Sequence, residues 1–280
     1  MKIKYYGTAA AEGFPGMFCS CEACEKARAA GGKNIRTRSQ TVIDGSLMID
    51  FSADSYLHVL MYGLDLRKIK NILITHGHED HLYAEDLAYR KIGYAYFDCD
   101  VDDLEPVTVW SSKLSGASVR HIITDSELDK FNAIRWKQVR AFEPFTVDGY
   151  GVTPLEADHA KQLDPFVYII EKDGRTLFYG HDSGYYPEST WAYLEKNKPH
   201  LDFVSLDCTG ILLNYRSGHM GLESCSEVRD RFLKIGVADE NTRFCLHHFS
   251  HNGQLTYDEL CPVAAEKGFL VSYDTAEFEI

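Results

Sequence analysis

Residues Thr75-His76-Gly77-His78-Glu79-Asp80-His81 place the pattern H-x-H-x-D-H, three imidazoles and one carboxylate, within six positions. An apolar, strand-like Ile72-Leu73-Ile74 precedes the run and a helix-like Glu85–Arg90 follows it. In extended chain alternate side chains share a face, so His76 and His78 can bind one metal ion together. Asp80 and His81 lie on the next bend, displaced from the first pair, which suits two adjacent metals better than one. The bland reading is a solvated polar loop, but such a cluster at the end of a buried strand would be costly without a purpose. A metal pair needs further histidine or carboxylate ligands at other strand ends. Three segments meet that need: Glu156-Ala157-Asp158-His159, Gly180-His181-Asp182-Ser183 and His247-His248. His159 read alone could be a buried structural imidazole, and Asp182 a turn former. His181 should point away from Asp182, and His247 away from His248, so packing suits both better than ligation. Cys19-Ser20-Cys21-Glu22-Ala23-Cys24 is a C-x-C-x-x-C cluster. Three such thiolates could hold one Zn²⁺ if a fourth ligand arrives from elsewhere, the alternative being a redox pair or surface thiols.

The elements that must position these groups follow from hydrophobic pattern and turn chemistry. Thr41–Asp50 reads as a hairpin about Asp44-Gly45, and Phe166–Tyr179 as a second about Asp173-Gly174. Ser52–Tyr62 reads as a helix with a serine cap, and Pro187–Asn197, Glu223–Ile235 and Thr256–Lys267 as further helices. Strand and helix patterns alternate to the end, an α/β arrangement, so a single domain over 1–280 is expected. The acidic, aromatic stretch from Gly93 lacks a period and, to about Asn132, reads as an insertion lying over the site. His58, His121 and His200 read as ordinary residues without partners. The 280 residues are 45% hydrophobic and 25% charged, an ordinary globular profile, and no apolar run reaches transmembrane length. A formal net charge of −13 disfavours extended nucleic acid as a partner, though not a small phosphate ester. The strand-like opening Met1-Lys2-Ile3-Lys4 lacks a signal-peptide pattern, and eight cysteines are few for a disulfide scaffold, so a cytoplasmic setting is expected.

Taken together, the ligand-type residues resemble the metallo-β-lactamase superfamily, in that family's order along nearly the whole chain. The resemblance implies a four-layer αββα sandwich with metals at one edge. It implies His76, His78 and His159 on a first metal, Asp80, His81 and His248 on a second, Asp182 bridging them, and Asp50 supporting the site from behind. The opening Gly7-Thr8…Gly13-Phe14-Pro15 with the cysteine cluster is similar to two branches of that family, the PhnP-type phosphodiesterases of the carbon–phosphorus lyase pathway and PqqB of quinone cofactor synthesis. Pro187–Pro199, Leu206-Asp207-Cys208 and His248-Phe249-Ser250-His251 favour the first. By that resemblance His251 completes a structural zinc site with Cys19, Cys21 and Cys24. The unaltered His76–His81 motif argues against PqqB. The chain departs from the PhnP pattern at His181, at Thr209-Gly210 and in the longer 93–132 region.

The function this implies is a binuclear metal-dependent hydrolase of a small phosphodiester, cyclic or nucleotide-like, in which a hydroxide held by two divalent ions attacks phosphorus in line. His and carboxylate ligands accept Zn²⁺, Mn²⁺ or Fe²⁺. His219, in the glycine-flanked Ser217-Gly218-His219-Met220, matches the family's general acid and joins Asp80 and Asp182 as the catalytic set. Read alone, it could simply flank the following helix. The competing functions are hydrolysis of another bond (a lactam, lactone, thioester or RNA) and a PqqB-like, non-hydrolytic metalloprotein. A small-molecule substrate, no membrane and a homodimer left open complete the expectation.

Overall fold

The computed structural model describes residues 1–100 and 103–280. The chain begins with β1 (Lys2–Gly7), α1 (Glu22–Ala30), β2 (Gln40–Ile43), β3 (Leu47–Ile49), α2 (Ser55–Tyr62) and β4 (Asn71–Leu73). It continues through β5 (Val107–Ser111), α3 (Gly116–Asp125), β6 (Ile134–Gln138), β7 (Phe145–Val147), β8 (Tyr150–Glu156), β9 (Phe166–Lys172) and β10 (Arg175–Gly180). It closes with α4 (Glu188–Asn197), β11 (Phe203–Asp207), α5 (Leu222–Ile235), β12 (Arg243–His247), α6 (Tyr257–Glu266), β13 (Leu270–Val271) and β14 (Glu277–Glu279). The strands form two seven-stranded sheets, in the orders β14-β1-β2-β3-β4-β5-β6 and β13-β12-β11-β10-β9-β8-β7.

The interior strands of both sheets are buried on both faces, which is why they read as continuous apolar runs such as Phe166–Ile170. Alternation along β10 sends Leu177 and Tyr179 to the core between the sheets and Phe178 to the layer beneath α4 and α5. Trp191, Leu194, Val228, Phe232, Leu260 and Ala264 complete that outer layer, while Val119 and Ile122 of α3 cover the outer face of the other sheet. Helix, sheet, sheet, helix is the expected αββα sandwich. The two expected hairpins are present, each turning on a left-handed pair: Asp44 (φ 48°) with Gly45 (φ 73°), and Asp173 (φ 51°) with Gly174 (φ 73°). In α6 the Thr256 hydroxyl and Glu259 carboxylate form a capping box.

The two halves are built alike where it matters. Strands β3 to β6 run parallel, as do β10 to β13, and β8 shares the direction of β10 across the antiparallel β9. The carboxyl ends of β3, β4, β8, β10, β11 and β12 therefore open on one edge of the sandwich, where ligands collect in parallel-stranded sheets.

Three expectations need correction. Helix α2 starts at Ser55 rather than Ser52, because the Ser55 hydroxyl donates to Ser52 O (2.6 Å) in a turn that precedes it. Glu85–Arg90 is not an α-helix; Ala84–Tyr89 is 3₁₀. The 93–132 stretch, in which Val101 and Asp102 lie outside the described residues, is expected over the site, but none of its described residues lines the ligand cleft. Val107–Ser111 is the interior strand β5, paired on both sides, and α3 covers the same sheet. Tyr96, Phe97 and Leu104 line a hollow over the outer face of that sheet with Leu66, Ile69 and Ile72, away from the ligand edge. Among the described residues no helix is long and apolar enough to cross a membrane.

Candidate metal centre

Each ligand-type side chain leaves the end of a buried strand, and at three of those ends the backbone is left-handed: Asp50 (φ 64°), Asp182 (φ 48°) and His248 (φ 60°). That conformation is tolerated by Asp and His and turns the side chain back over the sheet edge. His76 Nε2 and His78 Nδ1 then stand 2.8 Å apart, and His159 Nε2 lies 3.2 Å from His78 Nδ1. Beside them His81 Nε2 lies 3.2 Å from Asp80 Oδ2 and 3.2 Å from His248 Nε2. Asp182 Oδ2 sits between the groups, 3.3 Å from His76 Nε2 and 2.8 Å from His81 Nε2. The structure thus assembles His76, His78, His159 and Asp182 as one donor set and Asp80, His81, Asp182 and His248 as a second, each within 4.8 Å.

These donors fit metal ions. Imidazole nitrogens aimed at one another at such distances conflict unless protons or a cation lie between them, and among the described residues no hydrogen bond reaches the buried Asp182 Oδ1, although His248 Nδ1 and His219 Nδ1 stand 3.1 and 3.3 Å from it. The far nitrogens are held as ligand imidazoles are usually held. His81 Nδ1 faces Asp50 Oδ2 at 2.7 Å, and His159 Nδ1 donates to Gly218 O at 2.9 Å. Asp50 is itself fixed by the Thr75 N–H (2.8 Å) and hydroxyl (3.0 Å). Burial opposes charge on Asp182, but His248, His81 and His219 overcome it and hold the carboxyl well below its usual range. Burial likewise opposes charge on His81, but Asp80, Asp182 and Asp50 draw its pKa well up. Burial and His81 push His76 well down.

His219 stands at the rim of this group, and Asp207 holds it in place. Asp207 is fully buried and accepts from Thr209 N and Met220 N at 3.0 Å on Oδ1 and from His219 Nδ1 at 3.0 Å on Oδ2, with Thr209 Oγ1 3.2 Å from Oδ2. Its oxygens are therefore committed to orientation, although Asp207, Asp182, His219 and His248 also lie within 4.8 Å. Burial disfavours the imidazolium, yet Asp207 and Asp182 outweigh it and push the His219 pKa up to about 11. The sequence reading left Asp207 without a role. The signal was a carboxylate ending an apolar strand, just as Asp50 and Asp182 do. With the histidines the cleft has a volume of about 460 Å³, within the usual range of small-molecule sites.

The second cluster lies behind one wall of the cleft. Cys19 Sγ and Cys21 Sγ are each 3.5 Å from His251 Nδ1, and these atoms lie within 4.8 Å of one another and of Cys24 Sγ. A tetrahedral ion with bonds of about 2.3 Å to sulfur and 2.0–2.1 Å to nitrogen would separate S and N by roughly 3.5 Å, which matches. Burial raises the Cys21 thiol, but the Cys24 N–H and the neighbouring donors bring it down to about 7.

His181 and His247 pack as expected, stacked 4.0 Å apart, His181 on the Ser205 hydroxyl (2.6 Å) and His247 between Ser39 and Ser272. His58 is not ordinary. It is fully buried, its Nδ1 faces Gln40 Oε1 at 2.6 Å and its Nε2 faces Thr37 Oγ1 at 2.7 Å. A surface helix pattern hid this, because its partners come from the segment before β2 and from β2 itself.

A family model described as a beta-lactamase superfamily domain matches residues 49–249. No curated relative matches the chain by sequence. Among solved structures, zinc-bound PqqB from Methylobacterium extorquens is similar at 18% identity and a TM-score of 0.73, covering 100% of both chains. A diphosphatase of the PhnP family is similar at 18% identity and 0.72, covering 100% of this chain and 97% of that one. The short form of human tRNase Z is similar at 16% and 0.64, covering 100% and 99%. At these identities the likeness is one of fold, and with the family match it places this chain in the metallo-β-lactamase superfamily of metal-dependent hydrolases.

Proposed function

We propose that the protein is a binuclear phosphodiesterase of this superfamily, acting on a small phosphate ester as a single functional unit, in the cytoplasm. The observation that carries the reading is the His219–Asp207 pair beside the shared donor sets. Attack on phosphorus and departure of an alkoxide are separate demands, and a charged imidazole over the cleft answers the second. His76, His78 and His159 would hold one divalent ion, Asp80, His81 and His248 the other, with Asp182 between them; Zn²⁺, Mn²⁺ and Fe²⁺ all suit such donors. When bound, the pair supplies an activated water at neutral pH and neutralises charge on the phosphoryl oxygens.

The chain's own residues do the rest. Asp207 accepts the His219 Nδ1–H and keeps the ring charged, leaving Nε2–H as the acid toward the leaving oxygen. Thr209 links this pair to the metal side, since its hydroxyl donates to His248 O at 2.7 Å. His159 ties the His219 loop to the ligand cluster through Gly218 O. Asp50 and Thr75 set the pose of His81. Cys19, Cys21, Cys24 and His251 would hold a structural zinc that braces Glu12–Cys24 against the His248 loop.

The test is metal content followed by turnover of bis-p-nitrophenyl phosphate against a β-lactam and a thioester. The reading expects three metal ions per chain, with the cysteine site included, and a kcat/KM for the diester at least ~100-fold above the others. Preference for the lactam or thioester would move the protein to another hydrolytic branch. Metal-loaded protein inert on all three would favour the PqqB-like alternative.

A further inference from the structure

The cleft wall carries a chemical bias that phosphodiester hydrolysis alone does not use. Apart from the proposed ligands and His219, the lining is polar or aromatic save for Ala10 and Ala11, and among the described residues no lysine or arginine lies in it. Its one further charged side chain is Glu12, on the loop after β1. Glu12 Oε1 accepts a hydrogen bond from the Ser250 hydroxyl and lies 3.7 Å from His251 Nε2. Among the described residues no donor reaches Oε2, and the side chain is 34% exposed. The His219 loop, which carries Tyr215, lines the same cleft. A Cβ on residue 210 would stand 2.7 Å from Tyr215 Cδ2 and 2.8 Å from Leu213 O, so Gly210 lets the ring lie against the backbone. The neighbouring cation, Arg216, is turned out of the cleft, paired with Glu227 and lying 4.2 Å over the Tyr185 ring.

We propose that the substrate is a phosphodiester whose leaving alcohol carries an amine or ammonium group, with Glu12 as the carboxylate that receives it and Tyr215 as an aromatic face lining the same cleft. The proposal rests on the phosphodiesterase reading. A carboxylate and an aromatic face both attract a cation, and neither attracts an anion. A second phosphate or carboxylate on the substrate would meet Glu12 with no lysine or arginine to offset it, in a chain of net charge −13. The chemistry remains hydrolysis. Water oxygen bonds to phosphorus, the bond from phosphorus to the amino alcohol's oxygen breaks with its electron pair, and His219 protonates that oxygen. The proton released by the water restores His219, leaving a phosphomonoester and a free amino alcohol.

The test uses the metal-loaded protein and three methyl phosphodiesters whose second alcohol is 2-aminoethanol, ethylene glycol or glycolic acid. The expected kcat/KM is about tenfold higher for the amine than for the glycol, and lowest for the acid. Glu12→Gln keeps an acceptor for Ser250 and should cut the amine-to-glycol ratio by about tenfold, with zinc content unchanged. Tyr215→Leu should cut it severalfold. Calorimetric titration of 2-aminoethanol reads recognition without turnover, and Glu12→Gln should weaken that binding by a similar factor. A wild type that hydrolyses diesters but favours the glycol or the acid overturns the proposal, as does a ratio indifferent to Glu12. If no diester is cleaved but 2-aminoethanol still binds through Glu12, the phosphodiesterase reading fails and the recognition stands. Loss of both overturns both.

Discussion

Replacing Asp207 by asparagine isolates what its charge does for His219. The carboxylate accepts two backbone N–H groups on Oδ1 and the His219 Nδ1–H on Oδ2, with the Thr209 hydroxyl 3.2 Å from Oδ2. The backbone donors cannot turn, so the asparagine oxygen must face them and its amide nitrogen must face His219. The charged ring then loses the acceptor for its Nδ1–H, while the neutral ring with its proton on Nε2 gains a donor at Nδ1, so the neutral form is favoured relative to the parent. Thr209 adapts, since its hydroxyl already donates to His248 O. A hydrogen bond to a charged partner is worth roughly 1.5–3 kcal/mol. At about 1.4 kcal/mol per unit, the His219 pKa should fall by about one to two units. For a leaving alkoxide that needs the proton, kcat should drop by roughly 10–100-fold, inside the range that general acid catalysis contributes. For p-nitrophenolate, which leaves without help, the loss should be only a few-fold. Because the acid must be protonated to act, the alkaline limb of the alkyl-ester profile should move to lower pH. The assay is kcat for an alkyl and an aryl diester at equal metal occupancy, with and without His219→Ala. In the His219→Ala background Asp207→Asn should cost nothing further on the alkyl ester. Equal losses on both ester types, or fully additive losses, would refute the pairing.

Asp182→Ala should lose at least one active-site metal and nearly all turnover while circular dichroism still reports a folded chain, because the cysteine cluster is separate; elemental analysis showing full occupancy would contradict the bridging role. Cys21→Ser should lower zinc content and melting temperature together, since metal binding at such a site contributes directly to folding. A pH effect lies away from the metals, at His58 and Asp274, which flank the Thr37 hydroxyl at 2.7 Å each. Burial pushes His58 down to about 4 and Asp274 up to about 6. For His58 the stabilisation is present above its unfolded pKa of about 6.5 and is lost as pH falls toward 4. For Asp274 it is present below about pH 4 and is lost as pH rises through 6, so the two nearly cancel between. His58→Gln removes one side of that balance. Its destabilisation, measured by denaturant unfolding, should be smaller at pH 4.5 than at pH 7.5 by up to about 3 kcal/mol. A pH-independent penalty would show that His58 does not titrate in this way.

Much of the architecture was legible because it rests on local physics. The hairpins about Asp44-Gly45 and Asp173-Gly174 need only a left-handed pair between apolar runs. Helix α6 announces itself by Thr256 and Glu259. The strand ends were readable because a buried parallel strand is an apolar run that stops abruptly. The error at 93–132 has the same origin in reverse. β5 follows an acidic, aromatic stretch without period, and nothing local says that Val107–Ser111 completes a sheet begun far upstream.

For the site, the sequence by itself determined which donors are available. His76, His78, Asp80 and His81 sit within one bend, where spacing alone limits their geometry, and Cys19, Cys21 and Cys24 do likewise. What only the tertiary structure decided is which distant groups face one another. Asp182 lies between two histidine sets contributed by both sheets, and Asp207 rather than solvent receives His219. Glu12 comes to face the cleft because β1 runs in the same direction as β3. His58 is buried against Thr37 and Gln40 instead of riding on a surface helix. The reason is physical: a residue's type sets what it can bind, but its charge state and partner depend on burial and on carboxylates from other strand ends, and packing alone brings those within hydrogen-bond reach.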